Sequence, residues 1–330
     1  MHYVPNLMNH VKAVQAAMDG LHGTAVLNVK DLVMIARLGS RSVYLQPQFI
    51  YSKAGRLRYT LQFERHVTGF AGWRPYFNKR WGLSTEKLQF KAYANSRGIR
   101  TPQHWLKQVG SLHDFVIKKS RSSFGVDIRG PFRCIDPQQP AQHLEEGEYY
   151  EAFIPGRIAK AWYWDGKLCA LELRPPPLLT GDGKSTVPQL AEARCAHRID
   201  GSALAWVTAY QGRSPDAVLR EGEHMPADFK YGSPYDTPSR DNENVLAAHR
   251  GSDLEAQFEA AGRMLMQGIP ESIRPHVLYT LDAVVDDAEQ VWLLEMNSNP
   301  MVHPDVYTAM LQTLLAPSAS AEAFPMSAQA

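Results

Sequence analysis

The chain has 330 residues, enough for two or three packed units rather than a single core. Its hydrophobic content of 44% excludes a disordered chain, because such chains lack the apolar residues that offset the entropy lost on ordering. With 35 basic and 34 acidic residues, the net charge of +1 argues against a general binder of nucleic acids or membrane surfaces. The composition predicts a globular enzyme or binding protein in which any anionic ligand meets a local cluster of cations.

The cysteines and the first residues bear on the compartment. Cys134, Cys169 and Cys195 are far apart and form no C-x-x-C pair, so we expect small buried thiols rather than disulfides or a zinc site. Residues 1–6 lack the basic head and apolar run of a signal peptide, and no apolar run reaches the roughly 20 residues that cross a bilayer. We therefore expect a cytoplasmic protein, with residues 318–330 as a flexible tail.

The first third of the chain mixes helical and strand patterns. A helix is predicted by the apolar spacing of Val11, Val14, Ala17 and Met18, and a short strand by residues 42–45. Residues 1–84 are therefore predicted to form a small leading α/β domain. A second helix is predicted from a cap at Ser84 or Thr85 to about Ser96, ended by Gly98 and Pro102.

Strands dominate the prediction from residue 115 to residue 173. Residues 115–118 form a short β-rich run, and the runs 158–164 and 167–173 flank Asp165-Gly166, a strong hairpin signal. Residues 214–248 are rich in polar residues, glycine and proline and are predicted to be loops. Helical spacing returns at Leu254, Phe258, Ala261 and Leu265, and a second hairpin is predicted from the runs 277–285 and 290–295.

Two acidic residues lie in this second hairpin. Asp282 interrupts one apolar strand and Glu295 ends the other, and buried carboxylates are costly unless they are paired or bind a cation. If residue 282 pairs with residue 293, Asp282 and Glu295 lie diagonally on one face, which Asn297 shares. This donor set suits Mg²⁺. From spacing alone, an alternative explains the pattern equally well: Asp282 pairs locally and Glu295 is a charge at the end of a strand. A slip of one residue in the strand register would also move Asp282 to the other face of the sheet.

Two further segments bear on phosphate binding. Lys118 and Lys119 end a strand before a turn rich in Ser and Gly, which could present backbone N–H groups to phosphate oxygens. Alone, this segment favours a solvated turn with surface lysines. Residues 181–186 end like a P-loop, but Leu178 stands where that motif needs a glycine and prolines replace the preceding strand, so Walker chemistry is rejected.

Together these segments resemble the ATP-grasp superfamily of carboxylate–amine ligases, from Thr85 to about Pro304. Within that superfamily, residues 156–190 are similar to the ATP-grasp part of cyanophycin synthetase and related γ-glutamyl ligases. The resemblance rests on segments 86–91, 98–102, 116–118, 150–156, 156–190, 281–284 and 294–300. It implies a mixed α+β and α/β ATP-grasp fold. Residues 85–156 would form a central lid subdomain, and residues 157–317 a metal-bearing C-terminal subdomain.

The resemblance also implies roles for individual residues. The nucleotide-binding residues that it implies are Lys87, Lys118, Gly125, Glu151, Phe153 and Ile154. The two lysines would bind ATP phosphates, Gly125 would lie in the covering loop, and Glu151 with the backbone of the last two would face adenine. The catalytic residues and metal ligands that it implies are Lys160, Arg174, Asp282, Glu295 and Asn297. The first two would lie near the transferred phosphate, and the last three would bind Mg²⁺, with Mn²⁺ as an alternative.

Two positions and one segment depart from the family pattern. Asp127 stands where the phosphate loop commonly has a second glycine, and Ile158 replaces the acidic residue that commonly holds the ribose, which leaves the sugar contacts open. A Gly-Gly stretch is reduced to residues 228–233, where Lys230 is either a phosphate-binding residue or a surface lysine.

The implied function is an ADP-forming ligase that activates a carboxylate as an acyl phosphate and joins it to an amine. The product would be an amide or peptide bond on an amino acid or small peptide. The alternative is an ATP-grasp kinase that phosphorylates a small molecule and stops there. Expected partners are small carboxylates and amines rather than nucleic acid or membrane, and the oligomeric state is left open, with a homodimer as one alternative. The identity of the two substrates is left open.

Overall fold

A computed structural model describes residues 7–53, 56–108, 110–122, 127–195, 201–235 and 243–316. The chain divides into two compact units: Asn78–Pro300, here called the central unit, and His2–Phe77 with Met301–Ala330, here called the terminal unit. In the ranges described, no helix combines the length and apolar character that crossing a membrane requires.

Six helices and fifteen strands are described. The helices are α1 (Leu7–Gly20), α2 (Lys87–Ser96), α3 (Val187–Arg194), α4 (Gly201–Tyr210), α5 (Asp253–Met266) and α6 (Val306–Leu315). The strands are β1 (Thr24–Leu27), β2 (Met34–Leu38), β3 (Arg41–Lys53), β4 (Arg56–Thr60), β5 (Val67–Arg74), β6 (His104–Trp105), β7 (His113–Lys119), β8 (Ile128–Cys134), β9 (Glu148–Ala152), β10 (Arg157–Trp164), β11 (Lys167–Arg174), β12 (Leu178–Thr180), β13 (His224–Pro226), β14 (Leu278–Val285) and β15 (Val291–Ser298). All the strand pairs described are antiparallel, and the predicted mixed α+β fold is confirmed.

The terminal unit is a five-stranded sheet, in which β1 to β4 follow one another and β5 pairs with β3. Helix α1 buries Val11, Val14, Ala17 and Met18, the four positions whose spacing predicted it. The predicted strand at residues 42–45 is the beginning of β3. The local pattern was enough here, because a period near 3.6 places those four side chains on one helix face.

The central unit contains two four-stranded sheets. The first sheet has the order β6-β9-β7-β8, and the second sheet has the order β11-β10-β14-β15. One face of the second sheet packs on α2 and α5 and forms a large apolar core, in which α5 buries the predicted Leu254, Phe258, Ala261 and Leu265. Burying a Leu or Phe side chain stabilises by about 1.5–3 kcal/mol, so this core fixes the sheet whose other face carries the polar residues.

Both predicted hairpins are confirmed. Strands β10 and β11 flank Asp165 and Gly166, whose positive φ angles of 49° and 81° suit a two-residue hairpin turn. Strands β14 and β15 form the second hairpin, but the predicted register is wrong. Ala283 pairs with Leu293 and Asp282 pairs with Glu295, so Leu294 is an extra residue in a β-bulge.

That bulge decides which face Glu295 occupies. Leu293 and Met296 both belong to the apolar core, although they are three residues apart. In a regular strand Glu295 would lie on the same face as Leu293, since side chains alternate. The extra Leu294 turns Glu295 to the opposite face, directly across from Asp282. The predicted face is therefore correct, although the pairing that predicted it is not.

Other local predictions need correction. Helix α2 begins at Lys87 with Glu86 as its N-cap, because the hydroxyls of Ser84 and Thr85 donate to the Trp81 carbonyl and close a preceding 3₁₀ turn. The helix ends as predicted, before Gly98 at φ 71°. No disulfide joins the three cysteines in the described part of the chain, and the expectation of buried thiols is wrong, because Cys134 is exposed and the other two are only half-buried.

Candidate active site

The polar face of the second sheet carries a row of charged residues. Lys160 pairs with Glu172 on one side and with Asp282 on the other, and Asp282 pairs with Glu295. The four side chains therefore cross β11, β10, β14 and β15 in line and alternate in sign from Glu172 to Asp282. Opposite charges directly across neighbouring strands stabilise each other, whereas the adjacent Asp282 and Glu295 repel.

Asp282 and Glu295 converge on the amide of Asn297. The Asn297 Nδ2 donates to Asp282 Oδ2 at 3.0 Å and reaches Glu295 Oε1 at 3.4 Å. Burial and the neighbouring Glu295 carboxylate raise the pKa of Asp282 to about 6, despite Lys160 Nζ at 2.5 Å. A shared pair of buried carboxylates is stabilised by additional positive charge, because that charge removes their repulsion.

Helix α2 supplies a cation to this pair. Lys87, in its first turn, places Nζ 2.9 Å from Glu295 Oε2 and also donates to the Ser122 carbonyl at 2.7 Å. The Lys87 ammonium holds the pKa of Glu295 below its ordinary value against the opposing effect of burial. The predicted phosphate lysine Lys87 thus lies in direct contact with Glu295, one of the three predicted metal ligands.

Lys118 belongs to a second, more deeply buried ion network. Its Nζ lies 2.5 Å from Glu151 Oε1, and Lys91 Nζ lies 2.7 Å from Glu151 Oε2. Glu151 is 1% exposed, and Lys91, one turn after Lys87 on α2, is completely buried. The two ammonium groups hold the pKa of Glu151 at about 2, overcoming the opposing effect of burial. The Glu151 carboxylate therefore fixes Lys118, whatever its contact with adenine.

Arg174 ends β11 beside the charged row. Its Nη2 lies 2.6 Å from Glu172 Oε2, which also accepts a hydrogen bond from the Tyr231 hydroxyl at 2.9 Å. The ring of Tyr231 lies below both predicted catalytic cations, 4.7 Å from Lys160 Nζ and 5.6 Å from the Arg174 guanidinium carbon. Burial raises the pKa of Glu172, although the neighbouring Arg174 opposes this. Lys160 and Arg174 are therefore brought to one aromatic surface.

The predicted adenine segment follows β9. The backbone N–H of Phe153 donates to the Asp114 carbonyl at 2.7 Å, and its ring contacts Tyr210 and Phe229 edge-on at 5.1 and 5.0 Å. Ile154 is half-buried between β9 and β10. Gly125 lies outside the described residues. Adenine binding by Glu151, Phe153 and Ile154 stays a prediction.

The segment that resembles a P-loop forms a closed turn. The carboxylate of Asp182 accepts from the backbone N–H groups of Lys184 and Ser185 at 2.9 and 2.7 Å and from the Ser185 hydroxyl at 2.6 Å. These N–H groups are therefore occupied by the protein itself rather than presented to a phosphate.

A divalent cation fits the donors at Asp282, Glu295 and Asn297. Among the described residues, no group of three or more His, Cys, Asp and Glu side chains is arranged to hold a metal ion. The set is instead two carboxylates, whose oxygens are ligands of the kind that Mg²⁺ takes, and an amide that now presents its Nδ2 to them and would turn its oxygen toward a metal ion. The convergence of both carboxylates on one amide is the observation that supports this fit.

Three residues of the site were missed by sequence reasoning. Lys91 could have been identified from the sequence, because it lies four residues after Lys87 and so one turn further along the same helix. Glu172 also carries a signal, since it lies two residues before Arg174 and shares its face of β11. Tyr231 follows no periodic pattern, and only the tertiary structure places it there.

The sequence is similar to part of one known bacterial protein. No protein-family profile matches the chain. Over 222 residues it is 24% identical to the glutathione biosynthesis bifunctional protein GshAB of Streptococcus thermophilus, covering 59% of this chain and 28% of that protein. The chain thus spans less than a third of the curated relatives that it matches. The sequence is therefore similar, over this stretch, to part of a glutathione biosynthesis protein.

The fold is also similar to the folds of two solved structures. One is a bifunctional glutathione synthetase from Pasteurella multocida, with a TM-score of 0.38 and 14% identity, covering 92% of this chain and 43% of that one. The other is D-alanine–D-alanine ligase from Bacillus anthracis, with a TM-score of 0.36 and 13% identity, covering 71% of this chain and 67% of that one.

Proposed function

We propose that the chain is an ATP-grasp ligase that activates a carboxylate with ATP and joins it to an amine, releasing ADP and phosphate. The observation that supports this best is the contact of Lys87 with Glu295, since it joins the cations of α2 to the paired carboxylates of the second sheet. The sequence similarity to a glutathione biosynthesis protein supports the same class of reaction.

The balance of charge in the site suits polyphosphate chemistry. Five cations face four carboxylates in the two networks around α2 and the second sheet: Lys87, Lys91, Lys118, Lys160 and Arg174 against Glu151, Glu172, Asp282 and Glu295. Each cation is held by a carboxylate, so the array is preorganised at little electrostatic cost. Preorganised cations stabilise charge that develops on a transferring phosphoryl group without further reorganisation.

Lys87 and Lys160 occupy a special position in this array. Each contacts one of the two carboxylates that would hold Mg²⁺. A metal ion there would supply charge neutralisation for the phosphates. The Lys87 and Lys160 ammonium groups would then give up their contacts with these two carboxylates and bind phosphate oxygens instead. Asp282, Glu295 and Asn297 would hold the metal, whether Mg²⁺ or Mn²⁺.

The reaction then needs two bond changes. An oxygen of the acid substrate bonds to the terminal phosphorus of ATP, whose bond to the ADP oxygen breaks, giving an acyl phosphate. The amine nitrogen next bonds to the acyl carbon, the carbon–oxygen bond to phosphate breaks, and the amine loses a proton. In this proposal Lys118, Lys160 and Arg174 neutralise the phosphoryl oxygens. The substrates would be amino acids or small peptides, and a cytoplasmic homodimer stays a prediction.

The test is a screen for phosphate release with amino acids and small carboxylates, with the product mass measured. We expect release of ADP and phosphate only when both an acid and an amine are present, with a product of the summed mass less one water. A phosphorylated product formed from a single substrate would instead support the kinase. Glu295→Gln should abolish turnover, whereas Glu289→Gln, at a half-exposed carboxylate paired with Arg157, should leave it unchanged. Turnover by Glu295→Gln equal to the parent would contradict the proposal.

A further inference from the structure

Among the described residues of the terminal unit, one buried arginine has no acidic partner. Arg74 ends β5 and is 1% exposed. Its Nη2 donates to Gln48 Oε1 at 2.7 Å, whereas Nε and Nη1 are buried and find no acceptor among the described residues. A buried charge without a counter-charge is costly, so this guanidinium needs an explanation.

The groups that face Arg74 are neutral. Its pKa is lowered by burial, and in the described part of the chain the ionisable groups that act on it most are the phenols of Tyr76, Tyr59 and Tyr307 rather than a carboxylate. The rings of Tyr59 and Tyr76 lie 5.8 and 5.6 Å from the guanidinium carbon. Aromatic faces stabilise a cation, and the Tyr76 hydroxyl also forms a side-chain hydrogen bond with Arg74, but these neutral phenols add no negative charge. One positive charge therefore stays unbalanced.

A second buried donor lies beside the guanidinium. Gln48 is completely buried, and its Nε2 has no acceptor among the residues described. Because its Oε1 accepts from Arg74, the amide is oriented with Nε2 as the remaining donor. Three buried donor atoms, two on Arg74 and one on Gln48, thus lack acceptors. Since most buried polar groups in proteins are hydrogen-bonded, a set made only of donors points to a ligand made of acceptors.

We propose that Gln48 and Arg74 form a binding site for the carboxylate group of a small organic acid. A carboxylate offers only acceptors at its two oxygens and carries the one negative charge that balances a single guanidinium. A phosphate, with a charge near −2 at neutral pH, would leave an excess negative charge in the same buried place. Tyr59 and Tyr76, both half-buried, flank the cation.

The site does not depend on the proposed ligase activity. Both residues lie in the terminal unit, and acetate binding is measured without ATP. The probe is sodium acetate, titrated by calorimetry at constant ionic strength set with chloride. We expect one acetate per chain for the parent and for Arg37→Met, a matched change at an exposed arginine of β2. Arg74→Met should weaken acetate binding by at least about tenfold, the usual value of a charged hydrogen bond.

A second readout separates binding from a purely structural role. Without acetate, Arg74→Met should unfold at the same temperature as the parent or higher, because it removes an unbalanced buried charge. A lower unfolding temperature in both the absence and presence of acetate would mean that Arg74 is structural, and would overturn the proposal. Equal acetate affinity in Arg74→Met, no acetate binding by the parent, or tighter binding of phosphate would overturn it as well. If Arg74→Met does not fold, Gln48→Leu decides by the same loss of acetate affinity.

Discussion

Replacing Glu151 by glutamine tests the buried network that holds Lys118. The substitution preserves the size of the side chain and removes its charge. It leaves the ammonium groups of Lys91 and Lys118 without a counter-ion, at distances of 2.7 and 2.5 Å from the former carboxylate oxygens. Because Lys91 is completely buried, water cannot replace the lost partner. We expect Glu151→Gln to lower the stability of the protein.

The magnitude follows from the pKa of the carboxylate. In the folded protein it is about 2, against an ordinary 4.5. Since one pKa unit corresponds to about 1.4 kcal/mol, the folded protein stabilises the ionised form by about 3 kcal/mol in total, because the effect of the two lysines exceeds the opposing effect of burial. Breaking a buried ion pair by removing one partner costs about 3–5 kcal/mol in general, which agrees. At pH 7, Glu151→Gln should therefore lower the free energy of unfolding by about 3 kcal/mol.

Urea unfolding measured as a function of pH is the assay. The pKa of Glu151 is lower in the folded than in the unfolded chain, so its contribution is present in full above pH 4.5 and is lost as the pH falls toward 2. The difference between parent and variant should thus shrink over this range. ATP affinity should fall in the same variant, since the Glu151 carboxylate fixes the position of Lys118.

Glu145→Gln is the control. Glu145 also faces a lysine of β7, but it is 69% exposed and lies 3.8 Å from Lys119. An exposed pair of this kind contributes about 0–1 kcal/mol, so this variant should be close to the parent. A loss below about 1 kcal/mol for Glu151→Gln, with the same loss at every pH, would refute the account of the network given above.

Two further predictions concern the lysines of β7 and the packing of α5. Lys118→Ala should weaken ATP binding by at least about tenfold, whereas Lys119→Ala, at the neighbouring, more exposed side chain, should change it less than about twofold in the same calorimetric titration. Gly262→Ala should lower the free energy of unfolding in urea by about 1–3 kcal/mol, because its methyl group would overlap the buried ring of Tyr163. Gly20→Ala, at a position where no other atom lies within 4 Å of the added methyl group, should instead raise the free energy of unfolding by about 0.4–1 kcal/mol. A loss of stability at the open site as large as at the packed site would contradict the packing argument.

Local elements were predictable because their signals are local. The apolar spacing of α5 and the Asp165-Gly166 turn depend only on neighbouring residues, and both elements lie where the sequence places them. The start of α2 was less predictable. Ser84 and Thr85 are good caps by residue type, but Trp81 competes for their hydroxyls. Residue type states what a side chain can bond, whereas the fold decides which partner it meets.

The candidate site shows the same difference between residue types, which the sequence reveals, and their partners, which the fold decides. The acidic residues of the second hairpin are recognisable from sequence, since charges inside apolar strands are unusual, whereas Lys87 and the role of Lys118 are indicated only by the resemblance to a known superfamily. Their pairing is not recognisable. The contact of Lys91 with Glu151 joins a helix to a strand 60 residues further along the chain, and no periodicity reports a contact at that separation.

The sequence by itself determined the chemistry that is available: a near-neutral chain, two carboxylates and an amide near the end of one hairpin, and a few lysines in apolar surroundings. The tertiary structure decided their geometry. The bulge at Leu294 turns Glu295 away from the core and toward Asp282, although the alternation of the strand alone would bury it beside Leu293. The physical reason is that the register of two strands depends on the packing of both against the core, which is a property of the whole sheet rather than of either strand.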